Sequence, residues 1–314
     1  MHLIVAHAVA PNAEAGAGMS SWRARALPNL RRVLERWAVV HDDRQERSTL
    51  NTPDERAVAR ALQWNSADGQ LPLAAWQMQA PPGQSWGLLT PCHWSASAEY
   101  VRLADPNAME LTAQQSHALF ESVRDLWLDD GFEVVWRSPL AWYVSHPMLA
   151  DMPCASLDRV VGRQVDAWLG QDSRLRAVRR LQSEVQMVWH AHPVNQQREQ
   201  QGLPAINSVW LSGCGVLHQA GGGLKETFHW DVTLRDAAWR GDMAAWQAAF
   251  EALDLRIARW CDAESAPELQ RLTLCGEHGS RTWQPPVARR FKWPGWRQLL
   301  GASPSPWDAA WEGL

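Results

Sequence analysis

The sequence predicts a layered α/β protein with a mostly parallel sheet and flanking helices. Three observations predict this class. Short apolar runs alternate with amphipathic stretches along most of the chain. The runs are bounded by Gly, Pro, Asn and Asp, and the amphipathic stretches keep the helical period.

The elements follow in order. Leu3-Ile4-Val5-Ala6 reads as a buried strand. Leu30, Val33, Leu34 and Trp37 recur at helical spacing after Pro28. Asn51-Thr52-Pro53-Asp54-Glu55 is a helix start, with a capping side chain, proline in the first turn and acids near the positive end of the dipole. Trp86–Pro91 and Tyr100–Leu103 read as strands. A helix spans roughly 112–130, with Leu119, Phe120, Val123, Leu126 and Trp127 on one face and Gly131 at its end. Phe132–Trp136 and Trp142–Val144 are strands. The next helix runs from Arg174 to about Ala191 on a stripe of Leu175, Val178, Leu181, Val185, Val188 and Trp189, and Pro193 should stop it. Val209–Leu211 is a strand followed by a tight Gly213-Cys214-Gly215 turn. A long helix from Met243 to Trp260 presents Trp246, Phe250, Leu253, Ile257 and Trp260, and Leu272–Leu274 is the final strand.

These elements make a single domain over 1–285, with a subdivision near 145–155 weighed as an option. Residues 286–314 read as an irregular basic extension rich in Trp and Pro; its tryptophans are too apolar to leave in water and are expected to pack on the body.

Composition narrows the function classes. A hydrophobic fraction of 46% in 314 residues supports a sizeable core, and a net charge of −4 gives no reason to expect a nucleic-acid partner. Tryptophan outnumbers the other aromatics, 21 against 5 Phe and 2 Tyr, which reads as coding bias used for packing. The five cysteines have no metal-like or paired spacing, as expected of reduced thiols in a cytoplasmic protein. No apolar stretch has the length to span a bilayer, and no membrane partner is expected.

Two motifs are decoys. Gly83-Gln84-Ser85-Trp86-Gly87 matches G-x-S-x-G, but prolines precede it and a strand follows, the reverse of a nucleophile elbow. Gly221-Gly222-Gly223-Leu224-Lys225-Glu226-Thr227 lacks the spacing of a phosphate loop. His190 and His192 form an H-x-H, but helical spacing splays them apart.

The densest group of unusual residues is His192-Pro193-Val194-Asn195, Arg198, Gly202, Pro204, Asn207 and Trp210-Leu211-Ser212-Gly213-Cys214-Gly215. In a connector between helix and strand, Asn195, Arg198 and Asn207, with His192 beside them, are candidate ligand-binding residues. A guanidinium with two amides can clamp a phosphate or carboxylate. The alternative is that the amides hold turns and Arg198 packs.

This segment resembles the N…R…G…P-A-N…G-x-G stretch of archaeal-type cofactor-independent phosphoglycerate mutases, of the alkaline-phosphatase superfamily. It resembles more closely the bacterial RpfE-type regulatory proteins. The resemblance implies an alkaline-phosphatase-like fold and, in active relatives, two metals held at strand ends by Asp and His beside a Ser or Thr nucleophile. This chain departs from that pattern. Leu3–Ala8 lacks the Asp-Gly of the first strand, Leu27-Pro28-Asn29-Leu30-Arg31 lacks the acid of T-P-N-L-D, and Ser212 stands where a basic or bulky residue is usual. Leu274-Cys275-Gly276-Glu277-His278 leaves only Glu277 and His278 as remnant metal ligands.

The expectation is a phosphoglycerate-mutase-like protein without catalytic metals or cofactors, acting in regulation or ligand sensing on a phosphorylated or carboxylate small molecule or a protein partner. An active phosphomutase or phosphatase with a rebuilt site is the alternative. A module binding proteins through its Trp-rich tail is a second.

Overall fold

The first apolar run forms strand β1 (His2–Val5), which begins a chain that leaves its first sheet and later returns to it. The computed structural model describes residues 1–9, 17–97, 100–170, 173–218, 227–261, 268–286 and 305–314. After β1 come α1 (Ala17–Ala26), α2 (Pro28–Arg36) and β2 (Ala38–Arg44). There follow α3 (Pro53–Ala61), α4 (Leu73–Gln77), β3 (Ser85–Cys92), β4 (Trp94–Ala96), β5 (Val101–Leu103), α5 (Ala113–Asp129), β6 (Glu133–Ser138) and β7 (Ala141–Ser145). Next are α6 (Leu157–Val160), α7 (Leu175–His190), α8 (Pro193–Gln200) and β8 (Ser208–Val216). The chain ends with β9 (Phe228–Asp231), α9 (Arg235–Trp239), α10 (Met243–Cys261), β10 (Arg271–Cys275), β11 (Gly279–Gln284) and α11 (Pro306–Ala309).

Two units result: Met1–Arg47 with Leu224–Leu314, and Ser48–Gly223 inserted between those halves. The boundaries between them fall at 47/48 and 223/224. Each unit has its own sheet and its own buried apolar cluster.

In the first unit the sheet order is β2-β11-β10-β1-β9. β1 pairs in parallel with both β10 and β9, whereas β10–β11 and β11–β2 are antiparallel. In the second unit all pairs of the β6-β7-β3-β8 sheet are antiparallel, as is the β4–β5 ribbon. The class is mixed α/β, and the mostly parallel sheet expected from alternation is corrected. Among the named strands parallel pairing is found in β10-β1-β9, which are separated by long stretches of chain, while β6–β7 and β10–β11 are joined by short turns that only antiparallel pairs allow.

The helical stripes hold with one exception. Leu175, Val178, Leu181, Val185 and Trp189 of α7 are buried, but Val188 is 38% exposed, because the face that carries Val185 continues through Trp189. On α10 Trp246, Phe250, Leu253 and Ile257 are buried against the first unit's core.

Gly213-Cys214-Gly215 is not a turn. β8 runs straight through it, with an irregularity opposite Trp86–Leu88. The glycines serve the approach of another segment: a Cβ on Gly215 would lie 2.6 Å from the Gln70 carbonyl oxygen. Ser85 of the G-x-S-x-G match opens β3 and donates its hydroxyl to the His146 carbonyl at 2.8 Å.

Trp283 belongs to β11, a strand absent from the sequence reading, and is buried. Trp307, Ala310 and Leu314 are buried in the same core, so this part of the tail packs as expected. Trp293, Trp296 and the basic residues Arg289, Arg290, Lys292 and Arg297 lie outside the described residues, as do Gly221–Glu226 of the glycine run. No helix among the described residues is long and apolar enough to cross a membrane. None of the five cysteines is in a disulfide, and Sγ of Cys154 lies 3.3 Å from Sγ of Cys214.

Candidate functional site

The segment singled out in the sequence lies in the second unit and is built from its helix ends. α7 ends at His190, which is exposed, and His192 turns the chain by accepting the Val194 N–H on Nδ1 at 3.2 Å. Pro193 then occupies the first turn of α8, where its missing N–H costs nothing. Asn195 and Arg198 therefore sit on a helix, not in an irregular connector.

Their polar atoms are turned onto the chain. Buried Asn195 donates to the carbonyls of Trp189 (2.9 Å) and Ile206 (2.7 Å) and accepts from Ile206 N–H (2.8 Å). Arg198, fully buried, donates to the carbonyls of Pro204 (2.9 Å) and Met109 (2.6 Å) and to Oε1 of Gln115 (3.0 Å). Burial without a carboxylate contact pushes its guanidinium down, opposed only by nearby Glu110. Asn207 extends a strand ladder with its side chain, accepting from Trp94 N–H (2.7 Å) and donating to Trp94 carbonyl (3.0 Å). His93, which the sequence reading missed, adds a 2.7 Å bond to the Ala205 carbonyl. The four candidates thus share one segment, and the donors suited to clamping an anion bind main-chain and amide oxygens of residues 94–207.

A second polar cluster surrounds Glu55. The helix start at 51–55 forms as the sequence indicated, with Thr52 as its cap and Glu55 completing a capping box, and Glu55 also takes hydrogen bonds from Asn51 (2.8 Å) and from the Ser156 hydroxyl. Burial first, then the charges of Asp54 and Asp158, pushes the Glu55 carboxyl up to about 7, although Ser156 and Asn51 oppose the shift. Between its ordinary 4.5 and about 7 the folded state holds a proton that the unfolded chain has lost. Stability of this unit therefore falls as pH rises through that window, by at most about 3 kcal/mol. Glu55→Gln removes the titration and keeps an acceptor. Its stability relative to wild type is expected to rise between pH 5 and pH 8 in urea unfolding; an unchanged difference would refute the assignment.

In the first unit the carboxyl ends of the parallel strands are where α/β sheets usually place ligands. β1 leads into His7, whose φ of 53° is left-handed and unfavourable for a side-chain-bearing residue. Its carbonyl accepts from the Trp246 indole at 2.9 Å. β9 ends in Asp231, which the sequence reading missed; its signal was an acid closing an aromatic run two residues before a threonine. Asp231 is buried, accepts from Thr233 N–H (3.0 Å) and Oγ1 (2.6 Å), and meets Arg256 at 2.6 Å and His229 at 3.6 Å. After β10, Glu277 and His278 contact each other at 3.7 Å. Gly313 and Leu314 pack on this turn so closely that a Cβ on Gly276 would overlap the main chain of Leu314. Among the described residues no three His, Cys, Asp or Glu side chains gather to hold a metal ion, so this donor set does not fit a two-metal centre.

The N-terminus of α2, within the stretch that resembles T-P-N-L-D, is also filled from within. Asp254 of α10, buried, accepts from Leu30 N–H (2.7 Å), Asn29 N–H (3.3 Å) and Asn29 Nδ2 (2.8 Å). A carboxylate of the chain occupies the place a helix start offers to an anion.

No family model matches the chain, and no curated protein matches it. Among solved structures it is similar to the PH0037 protein from Pyrococcus horikoshii, with 10% identity and a TM-score of 0.49 over 92% of this chain and 88% of that one. It is also similar to a cofactor-independent phosphoglycerate mutase from Thermoplasma acidophilum, with 13% identity and a TM-score of 0.34 over 91% of this chain and 90% of that one.

Proposed function

We propose that this is a phosphoglycerate-mutase-like protein of the RpfE type that works in regulation or ligand sensing and does not run two-metal phosphoryl transfer. The observation that carries the reading is the donor set at the strand ends. Phosphoryl transfer of this kind requires several carboxylates and imidazoles around two cations. β1 leads into His7, Asp231 is engaged by Arg256 and Thr233, and Glu277 and His278 are one pair under Gly313 and Leu314. The internal Asp254 cap on α2 supports the same reading, because it competes with any phosphate at that helix start.

The test is metal content and turnover. Protein purified without chelators is expected to carry no stoichiometric manganese or zinc and to show no mutase activity on 3-phosphoglycerate with either ion added. Two tightly bound metals per chain, or turnover that depends on them, would overturn the proposal and favour the rebuilt-site alternative.

A further inference from the structure

Two buried thiols of the second unit face each other. Cys154 lies on the stretch before α6 and Cys214 within β8, and their sulfurs are 3.3 Å apart. Both side chains belong to the apolar core of that unit. Each is held from its own side. The Cys154 N–H donates to the Gly69 carbonyl at 3.0 Å. Beside Cys214, Gly87 of β3 leaves room for the sulfur, since a Cβ there would stand 3.0 Å from Sγ. The two sulfurs are thus in contact, at a separation about 1.3 Å longer than a disulfide bond.

A small cavity reaches the pair from one side. Cys154 lines it together with Trp168, Leu175, Arg179, Gln182 and Trp210, and its volume is about 30 Å³. Room of this size takes about two water molecules, and so one molecule of hydrogen peroxide, but no tripeptide. Hydrogen bonds hold its walls. Gln182 Nε2 donates to the Val209 carbonyl at 2.9 Å, and the Trp210 indole donates to the Ala155 carbonyl at 3.0 Å. Cys214 is not among the lining residues. The facing Cys154 thiol first, and burial second, hold the Cys214 thiol well above its ordinary range, so it stays protonated until its neighbour has reacted.

We infer that Cys154 and Cys214 are a modification site for peroxide, which closes them into an intramolecular disulfide. The Cys154 sulfur attacks one peroxide oxygen. An S–O bond forms, the O–O bond breaks, and the leaving hydroxide takes the thiol proton to become water. Cys154 is then a sulfenic acid. The Cys214 sulfur attacks it next: the S–S bond forms, the S–O bond breaks, and the hydroxide departs as water with the Cys214 proton. The two thiols give up two electrons and the peroxide accepts them, so one peroxide yields one disulfide and two waters. A dithiol reverses the step by exchange. The loop so closed contains α6, α7 and α8, and the bond constrains the unfolded chain and stabilises the second unit. Neither sulfur belongs to the strand-end donor set or to the 192–207 segment, so failure of this inference would leave the proposed function standing.

The experiment treats the reduced full chain with hydrogen peroxide or with oxidised glutathione, blocks the remaining thiols and maps the cysteine peptides by mass spectrometry without reduction. Expected with peroxide is a peptide pair linked from Cys154 to Cys214, lighter by two hydrogens and released by dithiothreitol. The preference for peroxide over oxidised glutathione should be about tenfold greater at this pair than at Cys261, which is exposed. Cys214→Ser should hold Cys154 at the sulfenic acid, where dimedone captures it. The oxidised wild type should unfold at a higher urea concentration than the reduced one. Linkage formed only after urea has unfolded the chain, equal preference at the pair and at Cys261, or an oxidised chain no more resistant to urea would each overturn the inference. The peptide map and the urea curves use wild-type protein, so they decide the matter even where the serine variant fails to fold.

Discussion

Replacing Arg198 by alanine is expected to destabilise the second unit by about 3–5 kcal/mol, one of the two largest single-residue effects predicted for this chain. The guanidinium ties three places together: the Pro204 carbonyl after α8, the Met109 carbonyl before α5, and Gln115 in the first turn of α5. Gln115 is also the third-position residue of the Thr112 capping box, so Arg198 fixes a helix start as well as a loop. Alanine would leave two main-chain carbonyls in a buried region without donors, at about 1–3 kcal/mol each. Lysine has a point charge in place of a fork and cannot reach three acceptors in one geometry, so Arg198→Lys should recover less than half of the loss. Urea unfolding of the three proteins checks this. An alanine variant with wild-type stability would remove the scaffold role and return Arg198 to ligand binding.

How much of this was legible in the sequence depends on which physical signal carried it. The stripes on α5, α7 and α10 were visible because burial imposes a helical period on apolar side chains, and the start of α3 was visible because a cap, a first-turn proline and first-turn acids are local signals. β11 was not, because Ser280, Arg281 and Thr282 are polar and yet buried, with Thr282 bonded to Thr273 and Arg281 to Asp42. A period-2 search expects such residues to face water. Strand direction was equally hidden: pairing β1 with β9 and β10 joins residues more than two hundred positions apart, and no local pattern reports that. The insertion of Ser48–Gly223 into the first unit follows from the same long-range pairing.

The candidate segment illustrates a different limit. Pro193 was read as a stop for α7, which it is, but proline is also at home in the first turn of a new helix, and α8 starts on it. That change moves Asn195 and Arg198 from a loop to a helix and aims them at the residues that follow. Asp254 and Asp231 were passed over because an acid within a long helix or at a strand end is most often solvated. Their roles appear only when Leu30 and Arg256 are brought beside them.

Trp189→Ala should match Arg198→Ala in cost, at about 3–5 kcal/mol in the second unit. Trp189 is fully buried, and its ring meets Trp142 edge-on at 5.8 Å; Trp142 in turn meets Phe120 edge-on at 5.2 Å. Its indole N–H reaches the Leu119 carbonyl (3.3 Å) and Ser122 Oγ (3.2 Å), so it links the end of α7 to the middle of α5. One element further, Ser116 is saturated: its oxygen accepts the indole N–H groups of Trp136 and Trp142, each at 3.0 Å, while its hydroxyl donates to the Pro139 carbonyl at 2.9 Å. Tryptophan is suited to these places because each ring fills a large volume and brings one donor that a neighbouring helix can satisfy. Phenylalanine keeps most of the area and loses the donor, so Trp189→Phe should cost only about 1–2 kcal/mol. The Asn195 side chain also binds the Trp189 carbonyl, and that bond is expected to survive both substitutions. Chemical unfolding together with near-ultraviolet circular dichroism tests the pair. If alanine and phenylalanine proved equally costly, the cavity left by the ring would not be the dominant loss and the indole hydrogen bonds would have to carry it.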